Sequence, residues 1–168
     1  DMEATLIEEC GNGPAMATYN PINEALDGND VLCYMLHNGD SIPISTNDDP
    51  SFNFSPITMN YGQTYFICAV AGDDNGNGCV NFNDPCLSIG GCVEVIYHEI
   101  PSATLTGGAD ICDGEDATIE VNFTGVGPWE FTYTPSTGGD VTVSDITDNP
   151  YIFTVNPSIT TTYNLQSV

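Results

Sequence analysis

Apolar and polar residues in this chain alternate in short runs and almost never recur at helical spacing. Val31–Leu36 puts Leu32, Tyr34 and Leu36 on one side and leaves Cys33 out of phase with them, the two-residue period of a β-strand. Thr64–Val70 and Val93–Tyr97 read the same way. After Pro101 the pattern predicts further strands at Ala103–Thr106, Ala117–Phe123, Trp129–Thr134, Val141–Val143, Tyr151–Val155 and Thr161–Val168. Gly, Pro, Asn and Asp punctuate the runs, as turns between strands require. The expected architecture is all-β, with a boundary at Ile100-Pro101 that divides it into modules 1–100 and 101–168.

A weak internal repeat links the halves. Thr64-Tyr65-Phe66-Ile67-Cys68-Ala69-Val70 matches Thr162-Tyr163-Asn164-Leu165-Gln166-Ser167-Val168 in its Thr-Tyr-x-aliphatic-x-small-Val pattern, and Cys10-Gly11 and Cys112-Asp113-Gly114 stand near the start of each half. Thr-Tyr at a strand start suits the sixth strand of an immunoglobulin-like β-sandwich, where a Tyr hydroxyl bonds back to the preceding corner. Trp129, after Gly127-Pro128, falls where a third-strand core Trp would sit. The reading is therefore two tandem immunoglobulin-like β-sandwich modules, the second lacking its last strand in this sequence. That strand is expected in a longer chain, or from a neighbour by strand addition. An unpaired apolar edge is an aggregation liability, which favours the longer chain.

Charge changes the picture most. The sequence of 168 residues has 24 Asp plus Glu, two His and no Lys or Arg, where average usage would supply roughly 20 basic residues. Phosphate backbones and anionic lipid find no cations here to bind, so nucleic-acid and membrane-surface partners are disfavoured. Clustered carboxylates must be offset by metal ions, protons or salt. With 40% hydrophobic residues the chain can still build packed cores and is not a disordered acidic tail. No apolar run reaches the length of a membrane span. Lacking an initiator Met and a leader, the chain reads as a mature product or an excerpt.

Seven cysteines in a β-rich chain point to disulfides and an oxidising, extracellular compartment. Their spacing does not match paired zinc ligands. Strand phase turns Cys33 and Cys68 away from the core, and third and sixth strands are neighbours in such a sandwich, so a Cys33–Cys68 bridge is expected. Cys10 with Cys86 and Cys79 with Cys92 complete one scheme; Cys79 with Cys86 is a rival, and Cys112 is left for a partner beyond Val168.

The strongest ligand-like cluster is Gly72-Asp73-Asp74-Asn75-Gly76-Asn77-Gly78, followed by Asn81, Asn83 and Asp84. Calcium takes oxygens from carboxylates, amides and carbonyls, and Gly permits the tight turns between them. Asp27-Gly28-Asn29-Asp30 is a second acidic turn within reach of it. The expected metal ligands are Asp73, Asp74, Asn75, Asn77, Asn81, Asp84, Asp27 and Asp30, with Asp113, Glu115 and Asp116 a weaker set. The competing reading is a solvated turn, since Asn, Asp and Gly are ordinary turn residues. Catalytic signals are poor. His37 and His98 lie at strand ends beside polar residues, no Gly-x-Ser-x-Gly elbow occurs, and a carboxylate pair among 24 acids carries no information. Asn53-Phe54-Ser55 and Asn122-Phe123-Thr124 match the N-glycosylation pattern, which is short enough to arise by chance.

Taken together, Asp27-Gly28-Asn29-Asp30-Val31-Leu32, Tyr61-Gly62-Gln63-Thr64-Tyr65, Ala69-Val70-Ala71-Gly72 and Asp84-Pro85-Cys86-Leu87-Ser88 resemble repeats of giant Bacteroidota surface adhesins. Ile111-Cys112-Asp113-Gly114-Glu115 and Phe123-Thr124-Gly125-Val126-Gly127-Pro128-Trp129 extend the resemblance over nearly the whole chain. It implies a gliding-motility-adhesin-like fibre protein exported by type IX secretion and active in adhesion or filament formation. Cys33 and Cys68 depart from the expected pattern. Asp40-Ser41-Ile42 resembles a Bacteroidota O-glycosylation acceptor. The expected partners are neighbouring copies or repeats of the chain, and surface glycans or another cell. A carbohydrate-binding module is the alternative, with Tyr19, Tyr34, Tyr61, Phe66 and Tyr97 as its aromatic candidates; an accessory domain of a secreted hydrolase is a further one.

Overall fold

In the computed structural model, residues 2, 3, 5–21 and 26–168 are described; Asp1, where the sequence starts, falls outside them. Two compact units divide the chain, Asp1–His98 and Glu99–Val168. Among the described residues every regular element is a strand.

The first unit is organised around the long apolar strand Asp30–His37 (β3). It pairs antiparallel with Thr64–Asp73 (β6), which in turn pairs antiparallel with Ser88–His98 (β7). Ile7–Cys10 (β1) runs parallel to β7 at one edge, and Ser45–Asn47 (β4) closes the other, giving the order β1-β7-β6-β3-β4. Pro14–Met16 (β2) and Ser51–Asn53 (β5) form a separate two-stranded sheet. Tyr34 and Leu36 of β3, Tyr65, Ile67 and Ala69 of β6, and Val93, Val95 and Tyr97 of β7 pack with Ala15 and Phe52 of the small sheet in one core. At about 25 cal/mol per Å² of apolar surface, burial of these side chains is the main force holding the unit together.

The opposite face of the five-stranded sheet is also buried over the middle of β3 and β6. Cys33 and Met35 of β3 and Cys68 and Val70 of β6 form a second cluster with Cys79 and Val80. Those last two belong to the long connection between β6 and β7, which lies over the outer face. This explains the burial of five consecutive residues, Cys33–His37: the strand is covered on both sides.

The second unit contains two three-stranded sheets. Tyr151–Val155 (β12), Ala117–Phe123 (β9) and Ala103–Gly107 (β8) form one, in the order β12-β9-β8. Val141–Ile146 (β11), Trp129–Pro135 (β10) and Tyr163–Ser167 (β13) form the other, in the order β11-β10-β13. Val121, Phe123, Phe131, Tyr133 and Ile146 make its core. The core aromatic of β10 is Phe131, which has no exposed surface. Trp129, expected in that role, is only half-buried. Its ring stacks on Phe123 with centroids 5.1 Å apart, and its indole N–H donates to the Thr124 carbonyl at 3.0 Å. A Cβ on Gly127 would come within 2.8 Å of that ring, so the glycine is what lets the Trp fold back at the strand entrance.

Candidate functional site

The outer face of the first unit gathers most of the chemistry. Its disulfides join Cys33 to Cys79 and Cys68 to Cys92. The expected Cys33–Cys68 bridge does not form, although both residues do face away from the main core. The register explains why: Cys33 lies opposite Val70, and Cys68 lies opposite Met35 on one side and Cys92 on the other. Cys68 therefore finds its partner directly across the β6–β7 ladder, leaving Cys33 for the covering loop. Cys10, Cys86 and Cys112 are free and exposed, so the expected Cys10–Cys86 bridge, the Cys79–Cys92 bridge and its Cys79–Cys86 rival are all absent. Two disulfides fit folding in an oxidising compartment. Among the described residues no helix is long and apolar enough to cross a membrane.

The acidic loop divides into two sets of residues. Asp74 Oδ1 accepts from the backbone N–H groups of Gly76 at 2.8 Å and Gly78 at 3.3 Å, Asn75 Oδ1 accepts from Asn77 N–H, and Asn81 Oδ1 accepts from Asn83 N–H. These side chains cap the turns of their own loop. Asp27, Asp30, Asp73 and Asp84 converge instead. Asp30 and Asp73 are cross-strand partners, and Asp30 Oδ2 accepts from Asp27 N–H at 3.1 Å. Asp84 accepts from Asp73 N–H at 2.8 Å and Cys86 N–H at 2.8 Å, and those two bonds hold its carboxyl below the usual range. Asp73 shifts the other way. Desolvation, then repulsion from Asp84, Asp30 and Asp27, pushes its carboxyl upward. Asn29 Nδ2 donates to Asp73 Oδ1 at 2.5 Å and is the neutral neighbour in this acidic group. Gly72 makes room for the arrangement: a Cβ there would meet Asp84 Oδ2 at 2.9 Å.

Two of the weaker acidic set, Glu115 and Asp116, are also drawn into local structure. Glu115 Oε2 accepts from Cys112 N–H at 2.9 Å, and Asp116 Oδ1 from Asn156 Nδ2 at 2.9 Å. Of the aromatic candidates for a sugar platform, Tyr34 and Tyr97 lie in the core. Tyr61 stacks on Phe54 with centroids 4.0 Å apart, and its hydroxyl donates to Asn12 Oδ1. Phe66 stacks on His37, on the other face of the sheet.

The two histidines differ. His98 contacts Glu8 at 3.1 Å across the parallel β1–β7 pair. His37 is buried, and its Nε2 lies 3.2 Å from Cys68 Sγ. His37, Cys68 and Cys92 bring their donor atoms within 4.8 Å of one another. With the two sulfurs bonded to each other, this group is a disulfide with a histidine beside it. Sequence reasoning set His37 aside, yet its phase was legible, since it continues the Cys33–Met35 side of β3.

No family model matches the chain, and no curated protein matches it.

Proposed function

We propose that the chain is a pair of immunoglobulin-like modules acting as a structural and adhesive segment of a long secreted bacterial surface fibre, without catalysis of its own. The observation that carries the module reading is strand order in the first unit. In an immunoglobulin-like sandwich the last, sixth and third strands lie side by side, with an added strand beyond the third, and the second and fifth strands pair in the facing sheet. The order β7-β6-β3-β4 with β2-β5 opposite matches this. Tyr65 supports it as well: its hydroxyl accepts the Asn60 N–H at 2.7 Å, a bond from the start of the sixth strand back to the preceding corner. The second unit's orders β8-β9-β12 and β11-β10-β13 fit the same scheme without a strand beyond the sixth.

The fibre reading rests on the sequence resemblance to adhesin repeats, on the disulfide bracing, and on a surface with no basic residue to recruit anionic partners. Calcium belongs to this reading as the ion that Asp27, Asp30, Asp73 and Asp84 would hold. It would supply the positive charge their convergence calls for and would tie the Asp27–Asp30 turn to the end of β6. Partners would be neighbouring copies or repeats, and the surface glycans or cells that a fibre meets.

A mechanical role is testable by pulling single molecules of the chain. Sandwich modules should unfold in discrete, cooperative events. The Cys33–Cys79 bond closes a loop with a sequence separation of 46. The Cys68–Cys92 bond interleaves with it, so reducing both should lengthen the first unit's extension step by about 150 Å, at roughly 3.3 Å per residue. Smooth extension without steps would exclude a mechanical module. Saturable binding on a glycan array would favour the carbohydrate-binding alternative.

A further inference from the structure

The side chain of His37 points at one sulfur of a disulfide, and its proton can be placed from the surrounding bonds. Gly39 donates its backbone N–H to His37 Nδ1 at 3.0 Å, so Nδ1 is the unprotonated nitrogen of a neutral ring. The ring proton therefore sits on Nε2, 3.2 Å from Cys68 Sγ. Phe66 stacks on the imidazole with centroids 5.3 Å apart and fixes its plane. Burial pushes the imidazole below its ordinary value, against a smaller opposite effect of Asp40, which agrees with a neutral ring. The two cysteines also differ in access. Cys68 has no exposed surface, while Cys92 on β7 is partly exposed.

From this asymmetry we propose that Cys68–Cys92 is an exchange-competent disulfide with a fixed polarity, attacked by thiols at Cys92 and releasing Cys68 as the leaving group under His37. An incoming thiolate bonds to Cys92 Sγ while the Sγ–Sγ bond breaks, and the bonding pair passes to Cys68 Sγ. The new thiolate accepts the His37 Nε2–H hydrogen bond at the moment its charge appears. The products are a mixed disulfide on Cys92 and a stabilised Cys68 thiolate. No oxidant is consumed, and the nucleophile is any thiol, from a small molecule or from an exposed cysteine of another copy. Leaving-group stabilisation is what speeds thiol–disulfide exchange when attack is directed to the other sulfur.

Cys33–Cys79 is an internal comparison. Both its cysteines are buried, at 0% and 8% exposure. The group donating to Cys33 is the Val80 backbone N–H, at a longer 3.5 Å. A thiolate reaches that bond only after the covering loop opens.

The test uses the full chain with Cys10, Cys86 and Cys112 replaced by Ser, so that exchange is confined to the two disulfides. The native protein is treated with glutathione, quenched with iodoacetamide after short intervals, and mapped by peptide mass spectrometry. The expected result is glutathione on Cys92 and alkylation on Cys68, while Cys33–Cys79 stays closed. His37→Phe, which keeps an aromatic ring against Phe66 but removes the donor, should slow adduct formation about tenfold. His37→Gln, which restores an N–H, should recover part of the rate. Glutathione on Cys68, equal opening of both disulfides, or an unchanged rate in His37→Phe with both disulfides correctly formed would each overturn the proposal. An added arm with wild-type chains at high concentration identifies the source of thiol: dimers linked through Cys92 point to another copy, and Cys92 capped only by glutathione points to a small molecule.

Discussion

Cys33, in the middle of β3, is bonded to Cys79, in the loop that follows β6, and that bond holds the loop against the outer face of the five-stranded sheet. The centre of the sheet is thereby buried on both sides in a unit of fewer than 100 residues, where a single core is marginal. Replacing both residues by Ser should lower the unfolding free energy of the first unit by about 2–4 kcal/mol, read from denaturant midpoints. Hydrogen exchange should locate the first loss of protection in the loop 74–87 and on the outward side of β3.

The outer cluster also marks where the sequence was legible and where it was not. β3, β6 and β7, and the strands after Pro101, are readable because each lays bulky apolar residues on a core. β1, β2, β4 and β5 escape such reading. They are three or four residues long, and β2 buries only Ala15 between exposed Pro14 and Met16, a weak apolar signal in residues with low strand preference. Strand phase correctly turned Cys33 and Cys68 outward, but their partners depend on register and on the path of a loop, which phase alone does not contain. Likewise Asp74, Asn75 and Asn81 look like ligands by composition. Only coordinates separate an oxygen capping its own turn from one turned toward Asp73. Trp129 misled because size suggests a core position, whereas Gly127 lets its ring fold back and Phe131 fills the interior.

Tyr65 should matter more than its one hydroxyl suggests from sequence. Tyr65→Phe keeps the ring in the core and leaves the Asn60 N–H without its acceptor. A loss of about 1 kcal/mol is expected from the shift in denaturant midpoint, with an unchanged slope.

Tyr97 gives a titration marker for the core. Its hydroxyl donates to the Phe52 carbonyl, and burial pushes the phenol from 10.0 up to about 12. Between these values the folded chain holds a proton that the unfolded chain has released, so stability must fall as pH rises through that window. Phenolate absorbance should show a late-titrating tyrosine that disappears in Tyr97→Phe.

Asp73 should work against folding at neutral pH in the absence of a cation. Its carboxyl is raised, so the folded state binds more protons than the unfolded state just above the ordinary value of 3.8, and stability falls as pH rises through that region. Asp73→Asn keeps an oxygen for Asn29 and removes the charge. The variant should melt higher than wild type at pH ~7 in chelator, and the gap should close in acid, where both side chains are neutral. Calcium should raise the wild-type midpoint beyond the effect of matched ionic strength, and Asp73→Asn should blunt that rise. Equal midpoints with calcium and chelator would remove the ion from the account and leave disulfides and burial to hold the unit.

The fibre assignment is tested most directly by immunogold electron microscopy of intact cells of the source organism, using antibodies raised against this chain. Gold particles strung along filaments that project from the cell surface are the predicted result. Label confined to the cell interior, or dispersed in the medium without any filament, would contradict it.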